Sequence, residues 1–259
     1  MTQYRKTRGA HSARAGRRGQ HGKSRRRQPR QRGRGEHLRR ILLWSAAAFL
    51  LLSLVPVLAL RWLPPPTSAV MLARTLSGER QQDYRWVDLE QISADAALAV
   101  VAAEDQKFPA HFGFDLDAIR TAVNDRARGA RLRGASTLTQ QVARNLFLWQ
   151  GRSFVRKGLE AWLTLLLEAL WPKHRILEVY LNIAETGTGL FGIEAAAQRY
   201  FGIPAYALGP AQAALIAAVL PNPHRFHVDR PSAYVLERRD HILGQMELLG
   251  GTGYLRGIL

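Results

Sequence analysis

A run of twenty residues without a single charge, 41–60 (ILLWSAAAFLLLSLVPVLAL), constrains this chain more than any other feature. At about 1.5 Å of rise per residue, a helix of this length measures roughly 30 Å, the thickness of the hydrocarbon core of a bilayer. Arg39 and Arg40 precede the run, and Trp62 follows it at a position typical of a membrane interface. We therefore predict one transmembrane helix over residues 41–62.

Two other interpretations of this run are open at the level of sequence. A buried core helix would have the same composition, and a cleaved signal peptide would also place a basic segment before an apolar one. The run is longer than the usual core of a signal peptide, however, and no clear Ala-x-Ala site precedes the break at residues 63–66. These points favour an uncleaved signal anchor.

Positive charge is concentrated ahead of the predicted anchor. Residues 1–40 contain 15 Lys and Arg side chains and one acid, Glu36, so they hold +14 of the net +17, whereas the rest of the chain has 22 cations and 19 acids. The segment is rich in Arg, Gly and Gln and has almost no large apolar side chains. We predict that it is disordered, because it cannot bury enough area to offset its ordering entropy.

This distribution of charge predicts the orientation of the chain. Cations next to a membrane helix stay in the cytoplasm, so we expect the N-terminal tail inside and residues 67–259 in the periplasm. A pI near 11.2 is typical of nucleic-acid-binding proteins, but here it describes the tail alone. We expect the tail to set the topology and to contact anionic lipids, with no nucleic acid as partner.

After a Pro-rich linker over residues 63–70, we predict a single domain over residues 71–259. Apolar residues recur there at helical spacing, and no series of alternating strands is evident. The helical segments are 94–103, 116–127, 137–148, 156–171, 176–184, 192–200, 207–219 and 232–249. The domain is therefore predicted to be mainly α. The absence of Cys excludes thiol chemistry and Cys-ligated zinc.

Two adjacent carboxylates, Glu104 and Asp105, end an apolar segment (LAVVAAEDQKF). Because the preceding residues are apolar, Glu104 should emerge at the edge of the core, where desolvation raises a carboxyl pKa toward the range of a general base. In the alternative interpretation, Asp105 caps a helix and Glu104 lies on the surface. His111 has no second His at metal-binding spacing, so no metal site is predicted.

Two further segments carry polar residues in suggestive patterns. Residues 133–145 (RGASTLTQQVARN) are typical of a turn that opens a helix, whose free N–H groups suit phosphate or sugar oxygens or simply an ordinary cap. Arg156, Lys157 and Glu160 lie at i, i+1 and i+4. This spacing predicts either an ion pair along a helix or two cations and a carboxylate that converge on an anionic substrate.

Other conspicuous residues are predicted to be architectural. We expect Glu178 and Asn182 to make hydrogen bonds inside a core helix. The glycines around Phe191, which are Gly187, Gly189 and Gly192, predict a close approach of two backbone segments. They do not predict a nucleotide loop, because no clear strand precedes them.

Five segments, in this order and at this spacing, resemble the signature motifs of the family 51 glycosyltransferases of peptidoglycan. They are EDQKFPAHFGFD, RGASTLTQQVARNLFL, RKGLE, ILEVYLN and AALIAAVLPNP. The resemblance covers about residues 89–249 and implies a mainly helical, lysozyme-like lobe with a smaller jaw subdomain close to the membrane. Because the chain stops at Leu259 with no penicillin-binding domain after the motifs, we expect a monofunctional member of the family.

The resemblance also implies roles for individual residues. Glu104 would deprotonate the 4-hydroxyl of the acceptor sugar, and Glu160 would be a second essential carboxylate near the donor diphosphate. Cationic positions around the phosphates match Arg144, Arg152, Arg156 and Lys157, and substrate-binding polar positions match Asp105, Ser136, Thr137, Gln140, Gln141 and Asn145. The family usually has Lys where this chain has Arg144, and a guanidinium keeps the charge but differs in bulk and donor geometry.

The activity implied by the resemblance is polymerisation of lipid II into β-1,4-linked glycan strands, by inverting transfer with release of undecaprenyl diphosphate. Expected partners are lipid II, the growing strand, membrane lipids and proteins of cell-wall synthesis or division, at the bacterial inner membrane. No resident cofactor is implied, although a divalent cation could assist the diphosphate.

Two alternative functions stay open. A lysozyme-like lytic transglycosylase or muramidase would need an acid at the glycosidic oxygen and no phosphate-binding cations. The set of Arg and Lys residues argues against it. A membrane-tethered, non-catalytic scaffold for cell-wall synthesis would keep the fold but polymerise nothing with Glu104 intact.

Overall fold

The computed structural model describes residues 32–78, 82–128, 136–151 and 153–259. The helices are α1 (Arg32–Ala59), α2 (Ala69–Leu76), α3 (Ala94–Glu104), α4 (Leu116–Ala127), α5 (Leu138–Phe147), α6 (Phe154–Leu170), α7 (Lys173–Ile183), α8 (Ile193–Phe201), α9 (Pro210–Val219) and α10 (Ala233–Leu248). The strands are β1 (Asp83–Tyr84), β2 (Glu185–Gly187) and β3 (Leu190–Phe191). The mainly α fold predicted from the sequence is confirmed.

Helix α1 contains the uncharged run. Its portion Gly35–Ala59 is long and apolar enough to cross a membrane, with a mean hydropathy of 2.4 in its most apolar stretch. The helix begins at Arg32, so the disorder predicted for residues 1–40 does not hold for residues 32–40, and residues 1–31 lie outside the described part. Residues 48–259 form one compact unit that includes the second half of α1.

The centre of the core is built from α3 and α9. Residues 96–102 of α3 are all buried, and α9 is buried over residues 216–219. Both helices consist largely of Ala, Val and Leu, so neighbouring helices can approach them closely, and α3 packs against α9 and α10. A helix that is apolar all round must be covered on every side. As a result α3 is held firmly, and Glu104 emerges where this covering ends.

All eight predicted helices are present, with ends within three residues of the predicted ones. The segment predicted over 207–219 begins later, at Pro210, because a proline suits the first helical position and residues 205–207 form a separate 3₁₀ turn. The sequence analysis missed α2, which starts inside the predicted linker. Ser68 caps α2 by accepting a hydrogen bond from the Met71 N–H.

The three strands form a small sheet in the order β1-β3-β2, with β1 parallel and β2 antiparallel to β3. They are too short to show alternation in the sequence. Gly192 follows β3 with φ +87°, and a Cβ there would lie 2.5 Å from the carbonyl oxygen of Asn182. The close backbone approach predicted from the glycines is therefore confirmed at Gly192.

Candidate active site

Glu104, the last residue of α3, has two differently occupied carboxylate oxygens. Oε2 accepts a hydrogen bond from Nε2 of Gln141 on α5, at 3.0 Å. Oε1 lies 3.5 Å from Nη2 of Arg238 on α10 and has no hydrogen-bond partner within the described residues. The side chain is only 15% exposed. One oxygen of this largely buried carboxylate therefore accepts no hydrogen bond from the described residues.

Burial raises the pKa of the Glu104 carboxyl above its usual range. The hydrogen bond from Gln141 and the charges of Arg238 and Arg144 act in the opposite direction, and the neighbouring Asp105 adds to the increase. Desolvation outweighs these contacts. A carboxylate with a raised pKa is a stronger base, as proton abstraction from a hydroxyl requires.

The ion pair with Arg238 gives a first testable prediction. If Glu104 must be ionised for turnover, the acidic limb of the pH–kcat profile reports its pKa. Arg238→Gln removes a charge that lowers this pKa, so we expect the limb to move to higher pH. Arg239→Gln is the matched control, because Arg239 pairs with Asp240 instead. An unmoved limb in Arg238→Gln would show that Glu104 does not set the profile.

Asp105 is held by the protein itself. Its Oδ2 accepts a hydrogen bond from the backbone N–H of Leu138 at 2.9 Å, and Nε2 of His111 lies 2.9 Å and 3.0 Å from its two oxygens. The residue is buried. Asp105 therefore joins the end of α3 to the start of α5, which fixes the backbone next to Glu104.

The start of α5 is capped as its sequence indicates. Thr137 and Gln140 form a capping box, in which each side chain accepts from the backbone N–H of the other, and the Thr137 hydroxyl also donates to the Gly113 carbonyl at 2.7 Å. Both residues are buried. Thr137 and Gln140 thus hold the start of α5 through the backbone, and Thr137 also lines a cavity together with Ser136.

Glu104 and Gln141, which share a hydrogen bond, line two different cavities. One, of about 200 Å³, is lined by Glu104, Asp105, Ser136 and Thr137, among others. The other, of about 220 Å³, is lined by Gln141, Arg144, Asn145 and Tyr180, among others. Gln141 also accepts a hydrogen bond from the Tyr180 hydroxyl at 3.2 Å, which orients its amide toward Glu104. The structure therefore brings together most of the residues predicted from the second motif.

Glu160, on α6, is the centre of a separate charged cluster with Arg156 and Lys157. Nη1 of Arg156 donates to Oε2 at 2.8 Å, and Nζ of Lys157 contacts Oε1. The Glu160 side chain is 1% exposed and that of Lys157 is 51% exposed. Within the described residues, the contacts of this cluster are not shared with Glu104. Arg152, which was predicted to join the cations, lies outside the described part.

Comparisons with known proteins identify the family. The sequence profile described as "Transglycosylase" matches residues 70–247. The chain belongs to the transglycosylase family. Three similar proteins, each named "Biosynthetic peptidoglycan transglycosylase", come from Xanthomonas campestris pv. campestris (strain B100), Pectobacterium carotovorum subsp. carotovorum (strain PC1) and Pseudomonas putida (strain W619).

They are respectively 53%, 51% and 54% identical to this chain and cover 84%, 87% and 84% of it. The matches span 92%, 96% and 93% of those proteins. The enzyme class predicted from the motifs, a peptidoglycan glycosyltransferase, is therefore confirmed.

Two residues of the transglycosylase site were missed by the sequence analysis, Arg238 and Tyr180. Val235, Ile242 and Met246 of α10 are buried, and Arg238 lies on the same helical stripe. A cation on an otherwise apolar stripe of a helix could have identified Arg238 from the sequence. No pattern in the sequence identifies Tyr180, because a buried Tyr in a core helix usually serves packing.

The predicted architectural residues behave as expected. Asn182 exchanges two hydrogen bonds of 2.9 Å with the backbone of Val87, and Glu178 accepts from the Leu89 N–H at 3.0 Å. These contacts fix the segment before α3 onto α7.

Within the described ranges, no group of three or more His, Asp or Glu side chains is arranged to hold a metal ion.

Proposed function

We propose that this transglycosylase polymerises lipid II into β-1,4-linked glycan strands, with Glu104 as the general base. The observation that carries the proposal is the largely buried Glu104 carboxylate, which lines one cavity and accepts a hydrogen bond from Gln141, a residue that lines another. Exchange of an α-linked diphosphate for a β-1,4 linkage is an inversion. It needs a base on the attacking hydroxyl and stabilisation of the leaving group, without a covalent sugar intermediate.

In the proposed step, the Glu104 carboxylate takes the proton of the acceptor's 4-hydroxyl as the hydroxyl oxygen attacks the anomeric carbon of the donor. The bond from this carbon to the diphosphate oxygen breaks, and its electron pair leaves with undecaprenyl diphosphate. Gln141 bonds Oε2 and Arg238 faces Oε1, so the carboxylate is held in one orientation. Tyr180 in turn holds Gln141.

The cations supply the second requirement, stabilisation of the leaving diphosphate. In the cluster on α6, the single carboxylate of Glu160 is shared by Arg156 and Lys157, which leaves a net charge of +1. Because Glu160 is buried and both cations contact it, it positions them while cancelling only one of their two charges. Arg144 lines the cavity next to Gln141 and adds a further guanidinium for phosphate oxygens.

The direct test is incubation of the purified full chain with lipid II, followed by separation of polymer from muropeptides. Polymer with release of undecaprenyl diphosphate supports the proposal. Cleavage of preformed glycan strands instead would favour a lytic enzyme, in which a carboxyl with a raised pKa serves as the acid. Binding of lipid II without product would favour a scaffold.

We further propose that the protein is a single-pass protein of the inner membrane, with its N-terminus in the cytoplasm and its catalytic domain in the periplasm. The membrane-length helix and the 15 cations before residue 41 support this arrangement. Lipid II, the growing strand and membrane lipids are the proposed partners. Anchoring beside a bilayer that holds both substrates raises their local concentration.

The topology can be tested with reporters. A reporter that is active only after export should be active when fused after Leu259 and inactive when fused before Met1. Replacing most Arg residues of 1–40 by Gln should weaken this preference, because the orientation follows the cations. A reporter that is inactive after Leu259 and active before Met1 would contradict the proposed orientation. A mature chain that begins near Leu63 would show that α1 is a cleaved signal.

A further inference from the structure

The last turn of α1 is completed by side chains of the catalytic domain. The final four carbonyls of a helix have no partner within the helix. At the end of α1, the Val57 carbonyl accepts a hydrogen bond from Nε1 of Trp171 at 2.7 Å. The Leu60 carbonyl accepts two from Arg175, from Nε at 3.1 Å and Nη2 at 2.9 Å. The backbone of residues 60–63 satisfies the other carbonyls of the last turn, so the domain supplies the donors that this turn leaves out.

The segment after the helix is held in the same way. Nη2 of Arg175 also donates to the Leu63 carbonyl at 2.6 Å, and the Tyr84 hydroxyl donates to the Pro65 carbonyl at 2.7 Å. Burial raises the pKa of Tyr84 to about 12, so this hydroxyl stays a donor at any physiological pH. The Pro-rich segment is therefore bonded to the domain at two points.

Arg175 is itself fixed from several sides. Its guanidinium pairs with Glu178 and lies 5.0 Å from the ring centre of Trp86 and 5.8 Å from that of Trp171. The residue is buried, and its positive charge lies at the C-terminal, negative end of a helix dipole. A buried guanidinium with this many partners is held in one orientation. The backbone carbonyls that it binds are therefore held in place as well.

We propose that Tyr84, Trp171 and Arg175 form an anchor clamp, which holds the end of α1 and thereby positions the active site relative to the bilayer. The three are positioning residues, because none of them lines the cavities at Glu104 described above. The proposal rests on the proposed function in one respect, namely that the substrate is embedded in the membrane by its tail. These contacts hold the active site at one height above the bilayer, where the diphosphate of the substrate would lie.

The test uses the full chain in phospholipid nanodiscs, with the variants Arg175→Lys and Tyr84→Phe/Trp171→Phe. Lys keeps the charge but cannot bridge both carbonyls, and the double variant removes two donors and keeps an aromatic ring at each position. Arg61→Gln is the matched control, since it removes a cation at the same end of α1 whose described contact is the ring of Trp62. Thermal unfolding of each variant shows that the domain is folded.

Two readouts separate positioning from stability. Amide hydrogen exchange of residues 60–63 should rise about tenfold in the clamp variants and stay unchanged in the control. Polymerisation of lipid II with its full polyprenyl tail in the bilayer should fall about tenfold, because misplacement alone is costly. A short-tailed, water-soluble analogue should be polymerised within about twofold of the parental rate, because its diphosphate is not held at a fixed height.

Unchanged exchange would show that no clamp exists. Increased exchange with equal effects on both substrates would assign the three residues a structural role only. If the parental chain polymerises neither substrate, the proposed function fails and the positioning role fails with it, whereas the exchange data still decide whether the clamp holds the helix end.

Discussion

Glu104→Gln is expected to abolish polymerisation and leave the fold intact. An amide has the shape of the carboxyl but cannot accept the hydroxyl proton, and a general base contributes about 10²–10⁴ in rate. The hydrogen bond from Gln141 to this side chain survives, because the amide oxygen still accepts it. The measurement is the initial rate of lipid II polymerisation together with the melting temperature, on one preparation.

The pH dependence of stability provides a control for the Glu104→Gln variant. Burial raises the pKa of Glu104, so the folded state favours the protonated form. The contribution of Glu104 to the free energy of unfolding is full at pH values below its pKa in the unfolded chain. This contribution is lost as the pH rises through its pKa in the folded state. The Gln variant lacks this loss, so its stability relative to the parent should increase with pH. A variant that keeps more than about half of the parental rate would remove Glu104 from the role of base.

Lys157→Met is expected to leave melting nearly unchanged and to reduce turnover strongly. The Lys157 side chain is 51% exposed, and the buried Glu160 carboxylate keeps its hydrogen bond from Arg156 when Lys157 is replaced, so the loss of stability should be small. If Lys157 stabilises the leaving diphosphate, its loss should cost on the order of 2–4 kcal/mol of transition-state stabilisation. Melting temperature and kcat/KM, measured on the same preparation, separate the two effects.

A matched control is available at Arg85. It pairs with Asp83, its side chain is 54% exposed, and it lies outside the Glu160 cluster. Arg85→Met should therefore change neither melting nor turnover appreciably. If Lys157→Met polymerises at the parental rate, Lys157 plays no part in diphosphate stabilisation. If it is inactive only because it is unfolded, Arg156→Lys provides the second variant, because it keeps the charge but changes the geometry of the pair with Glu160.

The sequence predicted the helices well because their apolar residues recur with a clear period and their ends carry caps. Thr137 and Ser153, for example, cap α5 and α6 through their hydroxyls. The burial of Glu104 was also predictable, since it directly follows the apolar residues of α3. Short elements were not predictable: α2 has eight residues and the strands have two or three, so neither shows a full pattern.

Contacts between distant residues were beyond the sequence. Nothing in the motif around Gln141 indicates that Tyr180 orients its amide, or that Arg238 faces Glu104 from α10. The same holds for Asp105, whose bond to the Leu138 N–H crosses from one motif to the next. Spacing along the chain predicts which residues share a helix face, whereas the packing of helices decides which faces meet.

The hydrogen bonds at the end of α1 restrict the motion of the domain relative to this helix. A flexible linker of eight residues has an end-to-end distance of roughly 15 Å, so a domain tethered by one would move through a layer of about that thickness. With the carbonyls of Leu60, Leu63 and Pro65 held by the domain, this freedom is absent. Under the proposed function, the enzyme and its membrane-bound substrate diffuse within the same thin layer, and their encounter is a search in two dimensions.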